Sequence, residues 1–203
     1  MKFVVTGTDT EIGKTIFAAG LTGALGATYW KPIQAGLDDG ADADTVATLA
    51  PGASIHPSAW RLTTPCSPHR AAELDGVTID VDRLTPPPVS GPLVIEGAGG
   101  VLVPVTRQHL FADLFAAWQI PVILVARTGL GTINHSLLSI EALRARGVPI
   151  HGIAFVGDPV EDSEATIAAI GNVPRLGRLP RLDPLIPATL AAAFARSFPG
   201  LTA

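Results

Sequence analysis

Residues 7–15 form the chemically most informative pattern in the chain. They read Gly-Thr-Asp-Thr-Glu-Ile-Gly-Lys-Thr and lie between a short apolar run and a stretch with helical composition. A glycine-rich turn between a strand and a helix points backbone N–H groups and the positive end of the helix dipole at a phosphate. Lys14 can then reach the terminal phosphates, and the Thr15 hydroxyl can ligate Mg²⁺. The pattern predicts a nucleotide phosphate site.

One position departs from the usual form of this loop. The general pattern G-x4-G-K-[ST] requires glycine where this chain has Thr8, and Gly7 comes one residue too early. The alternative interpretation is an ordinary helix N-terminus, with Thr10 as its cap. Placement directly after the first apolar run and before a helix favours the nucleotide site.

Two acidic residues are candidates for magnesium ligands near Thr15. Glu96 ends the apolar run 93–95 and is followed by small residues, and Asp44 lies in the acidic segment 41–46. Carboxylates at the carboxyl ends of parallel strands can supply the hard oxygen ligands that Mg²⁺ prefers. The alternatives are local: Glu96 would satisfy neighbouring backbone groups, and Asp44 would cap a helix.

A lysine closes the second predicted strand. Lys31 precedes Pro32 in the segment 29–36, at the carboxyl edge of the predicted sheet, where ligands of such sheets bind. Spacing alone leaves two interpretations open, an active-site cation or a lysine whose charged end reaches the surface.

The elements that must position these residues follow an alternating pattern. Strand-length apolar runs occur at residues 2–6, 28–31, 92–96, 121–126, 151–156 and, more weakly, 174–179. Between them lie segments with helical spacing, clearest at residues 133–146. Repeated strand and helix predict an α/β fold of the P-loop NTPase type, with a mostly parallel sheet and helices on both faces. We expect residues 1–203 to form a single domain, with a proline-rich excursion from about 52 to 90 and a final helix at 188–198.

Composition excludes several other classes of protein. The 203 residues carry 14 Lys and Arg against 18 Asp and Glu, a net charge of −4, with 47% hydrophobic residues. A mildly acidic chain disfavours nucleic acid as a partner, and the apolar content excludes disorder. The single cysteine, Cys66, favours a reducing compartment. Without a long apolar segment, we expect a cytoplasmic protein with no membrane partner.

Four segments together resemble the dethiobiotin synthetase family, whose members are ATP-dependent carboxylases that close the ureido ring in biotin synthesis. They are residues 7–15, 31–36, 96–100 and 131–135, and their order and spacing match the family. The family shares the irregular phosphate loop of this chain. A weaker likeness covers the proline-containing segment 63–71.

The resemblance implies a role for each matching residue. ATP would serve as co-substrate and Mg²⁺ as cofactor, with Lys14 and Lys31 as catalytic cations. The implied magnesium ligands are Thr15, Asp44 and Glu96. The implied nucleotide-binding residues are Glu11, Ile12, Gly13, Lys14, Thr15, Ile16, Asp44, Glu96, Gly97, Ala98, Gly99, Gly157, Asp158, Pro180, Arg181 and Leu182. The implied substrate-binding residues are Thr10, Ala35, Gly131, Thr132, Ile133 and Asn134.

The resemblance also implies a reaction and an assembly. An amine of 7,8-diaminononanoate captures CO₂ as a carbamate, the carbamate attacks the γ-phosphorus, and the second amine closes the mixed anhydride with loss of phosphate. The family acts as a homodimer with active sites at the subunit interface. The helix start at residues 131–134 would come from the partner and receive the carboxylate tail of the substrate, as free helix N–H groups can.

Three departures from the family pattern affect specific contacts. Ala35 stands where the family usually has Ser or Thr, so one hydroxyl contact must come from Thr10, a water or a backbone group. Gly157 and Asp158 occupy the place where some members carry an asparagine that reads the purine. Residues 180–182 resemble the base-side loop only in outline.

Three other functions compete with this interpretation. A cobyrinate-type amide ligase of the same superfamily usually carries a glutaminase domain, for which 203 residues leave no room. A partitioning-type ATPase tends to have a lysine early in the phosphate loop, where this chain has Thr8 or Asp9, and a basic or amphipathic targeting segment. A regulatory domain that binds nucleotide without turnover has Ala35 as its only support.

Overall fold

A parallel sheet with helices on both faces organises the chain. The computed structural model describes residues 1–37 and 40–202. Its strands are β1 Lys2–Gly7, β2 Thr28–Trp30, β3 Ile33–Ala35, β4 Ser54–His56, β5 Trp60–Leu62, β6 Leu93–Gly100, β7 Val122–Arg127, β8 Ile150–Val156 and β9 Arg175–Leu179. Its α-helices are α1 Lys14–Leu25, α2 Asp42–Leu49, α3 Pro68–Leu74, α4 Phe111–Trp118, α5 Thr132–Arg144, α6 Glu161–Gly171 and α7 Pro187–Ser197.

The strand order sets the position of the phosphate loop. The main sheet has seven strands in the order β4-β2-β6-β1-β7-β8-β9, and its neighbouring strands pair in parallel. After β1 the chain proceeds towards one edge, inserts β6 beside β1, and then proceeds through β7 to the other edge. Such a reversal of winding opens a crevice at the carboxyl ends of the central strands, where ligands of these folds bind.

The central strands are buried on both faces. Val4 belongs to the core cluster under α3, α4, α5 and α6, whereas Val5 belongs to the cluster under α1, α2 and α7. In β6, Ile95 and Val94 divide between the two clusters in the same way. Because successive strand side chains point to opposite faces, a strand covered on both sides reads as an unbroken apolar run.

Helix α1 is anchored closely against α7. A Cβ added to Gly20 would lie 2.4 Å from a ring carbon of Phe194. The Phe17 ring packs 5.1 Å from that of Phe198 and 5.4 Å from that of Phe194, measured between centroids. Since α1 begins at Lys14, this packing holds the end of the phosphate loop in place.

The predicted α/β fold is confirmed, and the differences lie in short elements. Sequence patterning missed β4 and the small sheet formed by β3 and β5, because strands of three residues are too short to show a period. Within the proline-rich excursion, a 3₁₀ helix forms at Val81–Arg83. Strand β6 continues to Gly100, beyond the predicted end at residue 96. None of the described helices is long and apolar enough to cross a lipid bilayer.

Candidate active site

The phosphate loop connects β1 to α1 and is held at both ends. Thr8 N donates to the carbonyl oxygen of Val125 at 3.0 Å, which ties the loop to β7. Gly13 has φ +87° and packs against β8, where an added Cβ would lie 2.6 Å from Val156 Cγ1. Only glycine combines that left-handed conformation with so close an approach. The N-terminal turn of α1, whose N–H groups lack helical acceptors, therefore faces the cleft.

The structure gives a physical reason for Gly7, one residue before the usual glycine of this loop. An added Cβ at Gly7 would lie 2.9 Å from Asp9 O and 3.2 Å from Lys14 Nζ. Lys14 Nζ itself lies 3.4 Å from Asp9 O. A side chain at position 7 would therefore push on the loop and on the lysine together, whereas Thr8 is half-buried and tolerates its side chain.

Three elements bring their oxygen atoms together beside the loop. Thr15 Oγ1 lies 2.8 Å from Glu96 Oε1 and 3.0 Å from Asp42 Oδ1. Lys31 Nζ lies 3.3 Å from Glu96 Oε1 and forms an ion pair with Asp42. The Thr15 hydroxyl has one proton and can donate to only one of these carboxylates. The cluster therefore has more acceptor oxygens than protons to share among them, and such oxygens are the ligands that Mg²⁺ prefers.

This cluster offers part of a coordination shell. Among residues 1–37 and 40–202, no three His, Cys, Asp or Glu side chains group as a metal site. A Mg²⁺ ion here would draw on Thr15, Asp42 and Glu96 and complete its shell with phosphate oxygens and water, as Mg²⁺ usually does at phosphate sites. The residues present fit the ion.

Burial and opposite charges act differently on the two lysines. Burial alone would lower the pKa of Lys31, but the charges of Glu96 and Asp42 outweigh it, so its pKa is raised and it stays protonated. Burial lowers the pKa of Lys14, and Glu96 offsets this only in part. An anionic phosphate beside Lys14 would raise this pKa again and favour the charged form. The charge of Lys31 is thus balanced by carboxylates of the protein, whereas the charge of Lys14 is balanced only in part and would be stabilised by a bound anion.

Asp42, rather than Asp44, faces the site. We expected Asp44 as the acidic partner of Thr15, but its Oδ2 accepts a hydrogen bond from Ala41 N at 3.2 Å, the helix-capping alternative. Asp42 N donates to Gln34 Oε1 at 3.1 Å, which fixes the start of α2. Residues two apart on a helix point to nearly opposite sides, so only one of the two can reach Glu96. The placement expected of Asp44 is corrected to Asp42.

Sequence reasoning also missed Tyr29. Its hydroxyl donates to Glu96 Oε2 at 2.8 Å, and both side chains are buried. Burial, then the charge of Glu96, raises the pKa of Tyr29 well above its usual value, so the phenol keeps its proton. A usable signal was present: residues two apart in a strand share a face, so Tyr29 lies on the same side as Lys31.

A cleft of about 670 Å³ joins these groups. Of the residues expected at the site, its wall includes the loop 10–16, together with Lys31, Ala35, Glu96, Ala98 and Gly99. Gly97 points elsewhere, since an added Cβ would meet the Phe115 ring at 3.1 Å. The wall also contains residues to which the sequence assigned no individual role, namely Gln34, Gly36, Gly40, Asp42, Val103 and residues 65–68.

Two groups of expected residues do not line this cleft. Gly157 and Asp158 follow β8 beside residues 180–182, which follow β9; Gly157 N donates to Leu179 O at 3.0 Å, and Arg181 Nε lies 3.7 Å from Asp158 Oδ2. Gly131, Thr132, Ile133 and Asn134, at the start of α5, are also absent from the cleft wall and follow the fully exposed Leu130.

Comparison with known proteins separates the fold from the activity. The sequence profile of a family described as "AAA domain" matches residues 1–189. The cell division ATPase MinD of Pyrococcus furiosus aligns with a TM-score of 0.58 at 13% identity, over 96% of this chain and 95% of its own. A ParA family ATPase from Chlorobium tepidum aligns with a TM-score of 0.55 at 12% identity, over 97% and 90%. At such identities the likeness shows the P-loop NTPase fold alone.

Closer relatives carry one name. The ATP-dependent dethiobiotin synthetase BioD of Novosphingobium aromaticivorans is 69% identical over 97% of this chain and 96% of its own length. The proteins of that name from Sphingopyxis alaskensis and Rhodopseudomonas palustris are 64% and 61% identical, each over 97% of this chain and over 96% and 95% of their own lengths. The chain belongs to the ATP-dependent dethiobiotin synthetase family. The resemblance stated from sequence motifs is confirmed, and the partitioning-type and amide-ligase alternatives are not favoured for this family member.

Exchanging the two acids of α2 for alanine tests the corrected placement. We expect Asp42→Ala to lower kcat with Mg²⁺ and ATP by at least about 100-fold, or about 2.7 kcal/mol, because a carboxylate of the oxygen cluster is lost. Asp44→Ala should keep its activity and lose about 1 kcal/mol of unfolding free energy with its cap. Steady-state kinetics and urea unfolding measure both quantities. An inactive Asp44→Ala beside an active Asp42→Ala would reverse the placement.

Lys14 has a matched control in the same chain. We expect Lys14→Ala to reduce kcat/KM for ATP by at least about 100-fold, because the loop loses its charge at the phosphates. Lys2→Ala removes an exposed lysine from the start of β1 and should leave kcat/KM unchanged. Normal turnover in Lys14→Ala would contradict the phosphate-loop assignment.

Proposed function

We propose that this protein carboxylates 7,8-diaminononanoate with CO₂ and closes the ring, with ATP as co-substrate, to give dethiobiotin, ADP and phosphate. The observation that carries the proposal is the convergence of Lys14, Thr15, Lys31, Asp42 and Glu96 on one cleft in a member of this family. The proposed reaction needs a phosphoryl transfer to a carbamate, and these five side chains are the groups that such a transfer requires.

The residues divide the work by position. The α1 N-terminus and Lys14 hold the phosphates of ATP, and Thr15, Asp42 and Glu96 hold Mg²⁺. When bound, Mg²⁺ supplies positive charge at the transferring phosphoryl group. Lys31, fixed by two carboxylates that also contact Thr15, orients the carbamate oxygen for attack on the γ-phosphorus. Catalysis then rests on positioning and charge stabilisation in a partly buried site.

The chemical steps balance without a further reactant. One amine of the diamine adds to CO₂ and loses a proton, which gives a carbamate. The carbamate oxygen forms a bond to the γ-phosphorus as the bond to ADP breaks. The second amine then attacks the carbonyl carbon and expels phosphate, which takes up the proton that this amine loses. The cleft wall at Ala35 supplies no hydroxyl, and Thr10, on the same wall, supplies a hydroxyl for that contact.

We propose that the active enzyme is a homodimer. Residues 131–134 lie away from the cleft of their own chain, yet they form a helix N-terminus suited to a carboxylate. Leu130 beside them is fully exposed in the single subunit. A partner subunit would cover Leu130 and present its residues 131–134 to the tail of the diamine.

We also propose that residues 1–203 act as one domain and that the protein works in the cytoplasm. The base side of the nucleotide site is formed by five residues that follow β8 and β9, namely Gly157, Asp158, Pro180, Arg181 and Leu182. Strand β8 contacts Gly13 of the phosphate loop, and β9 is its neighbour in the sheet. With Gly157 at the purine position, the exposed carboxylate of Asp158 and guanidinium of Arg181 are polar groups that can contact the base.

A product assay tests the function. The protein is incubated with 7,8-diaminononanoate, bicarbonate, Mg²⁺ and ATP, and dethiobiotin is sought by mass spectrometry. We expect dethiobiotin and ADP in equal amounts, and no dethiobiotin when any one component is left out. ATP hydrolysis that ignores the diamine, without dethiobiotin, would refute the proposal. The same assay with CTP and GTP measures base preference.

Mixing two inactive variants tests the shared site. Asn134→Ala and Lys31→Ala are each expected to be inactive as homodimers. Mixed in equal amounts after subunit exchange, they should recover about one quarter of wild-type activity, because half of the dimers are hybrids with one intact site of two. No recovery in a mixture shown by native mass spectrometry to contain hybrids would place Asn134 outside the partner's site.

A further inference from the structure

The two carboxylate oxygens of Glu96 form hydrogen bonds on opposite sides of the group. Oε1 lies 2.8 Å from Thr15 Oγ1 and 3.3 Å from Lys31 Nζ, on the side of the cleft. Oε2 lies 2.8 Å from Tyr29 Oη, on the side of the core under α1. The glutamate is 1% exposed and the tyrosine 0% exposed, so water does not reach Oε2 as an alternative donor.

We propose that Tyr29 is a positioning residue that holds Glu96 with one oxygen turned to the magnesium site. The inference rests on the proposed function, in which Glu96 ligates Mg²⁺. With Oε2 engaged by the phenol, the carboxylate cannot rotate about its last bond without losing that hydrogen bond. Oε1 therefore stays directed at Thr15 and Lys31. Outer hydrogen bonds of this kind orient metal-binding carboxylates in proteins.

Strand pairing makes Tyr29 a rigid support. Strands β2 and β6 are parallel neighbours, with Tyr29 opposite Val94 and Trp30 opposite Ile95. The Tyr29 ring packs in the apolar cluster under α1 and α2, and its hydroxyl is the one polar atom that it brings there. A buried hydroxyl costs free energy unless it is hydrogen-bonded. Phenylalanine would fill the same space, so packing alone does not require the hydroxyl. The hydrogen bond to Glu96 is the contact that does.

The variant Tyr29→Phe isolates this hydroxyl. We expect Mn²⁺, used as the probe in the presence of ATP, to bind at least about 10-fold more weakly by electron paramagnetic resonance titration. The Mg²⁺ concentration for half-maximal activity should rise in parallel, while KM for the diamine stays unchanged. A buried tyrosine that serves packing alone would alter melting temperature without altering Mn²⁺ affinity.

Thr22→Val supplies the matched control. Thr22 is fully buried in α1, the helix that carries Thr15, and its hydroxyl has no hydrogen-bond partner among the described residues. Removing it deletes a buried hydroxyl from the same region and should leave Mn²⁺ affinity unchanged. Circular dichroism and thermal unfolding of both variants verify that they are folded. Unchanged Mn²⁺ affinity in folded Tyr29→Phe would overturn the proposal, and so would equal weakening in Thr22→Val.

A second measurement needs no variant. Tyr29 is the only tyrosine of the chain, so protein grown with 3-fluorotyrosine gives a single ¹⁹F resonance. We expect that resonance to shift when Mg²⁺ and ATP are added and to broaden strongly with Mn²⁺ and ATP. A resonance that responds to neither would overturn the proposal even if Tyr29→Phe failed to fold. Weakened Mn²⁺ binding in Tyr29→Phe, with no dethiobiotin from the wild type, would refute the proposed reaction and retain the role of Tyr29.

Discussion

The burial of the Glu96 carboxylate is the constraint on which the site depends. A charge that is 1% exposed is costly unless its oxygens find donors or cations, and here they find Lys31, Thr15 and Tyr29. These partners come from different elements: Thr15 from the first turn of α1, Tyr29 from β2, and Lys31 from the residue that follows β2. Any shift of one element would leave a buried charge short of a partner. The carboxylate therefore couples the geometry of the phosphate loop to that of the sheet.

The same cluster explains how two cations can share a small space. Lys14 and Lys31 are two of the three lysines in the chain, whose other cations are arginines. An ammonium is compact and can approach two carboxylates at once, whereas a guanidinium needs a wider planar contact. Lys31 is neutralised by Asp42 and Glu96 within the protein, while Lys14 lacks full compensation. Lys14 lies at the N-terminus of α1, so its charge and the positive end of the helix dipole together favour an anion such as phosphate at this position.

The long, buried elements were predictable and the short ones were not. Strands β1, β6, β7 and β8 appear in the sequence as apolar runs because both of their faces are covered. The three-residue strands β3 and β5 depend on each other for pairing, although α2 and β4 lie between them in the chain. No local pattern records such a pairing. The phosphate loop was predictable for another reason. Its glycines allow the local backbone geometry, and Lys14 follows them directly in the sequence, so one short segment specifies the loop.

The sequence by itself determined the family, the fold class and the residues of the phosphate loop, because the runs and short motifs that indicate them are each local patterns of neighbouring residues. Only the tertiary structure decided which acid of α2 meets Thr15, since Asp42 and Asp44 differ by their angle around the helix and not by composition. It also decided that Tyr29 reaches Glu96, a contact made across neighbouring strands. The physical reason is the same in both cases. The partners of a buried charge are chosen by how elements pack in space, and residues distant along the chain can be supplied only by the fold.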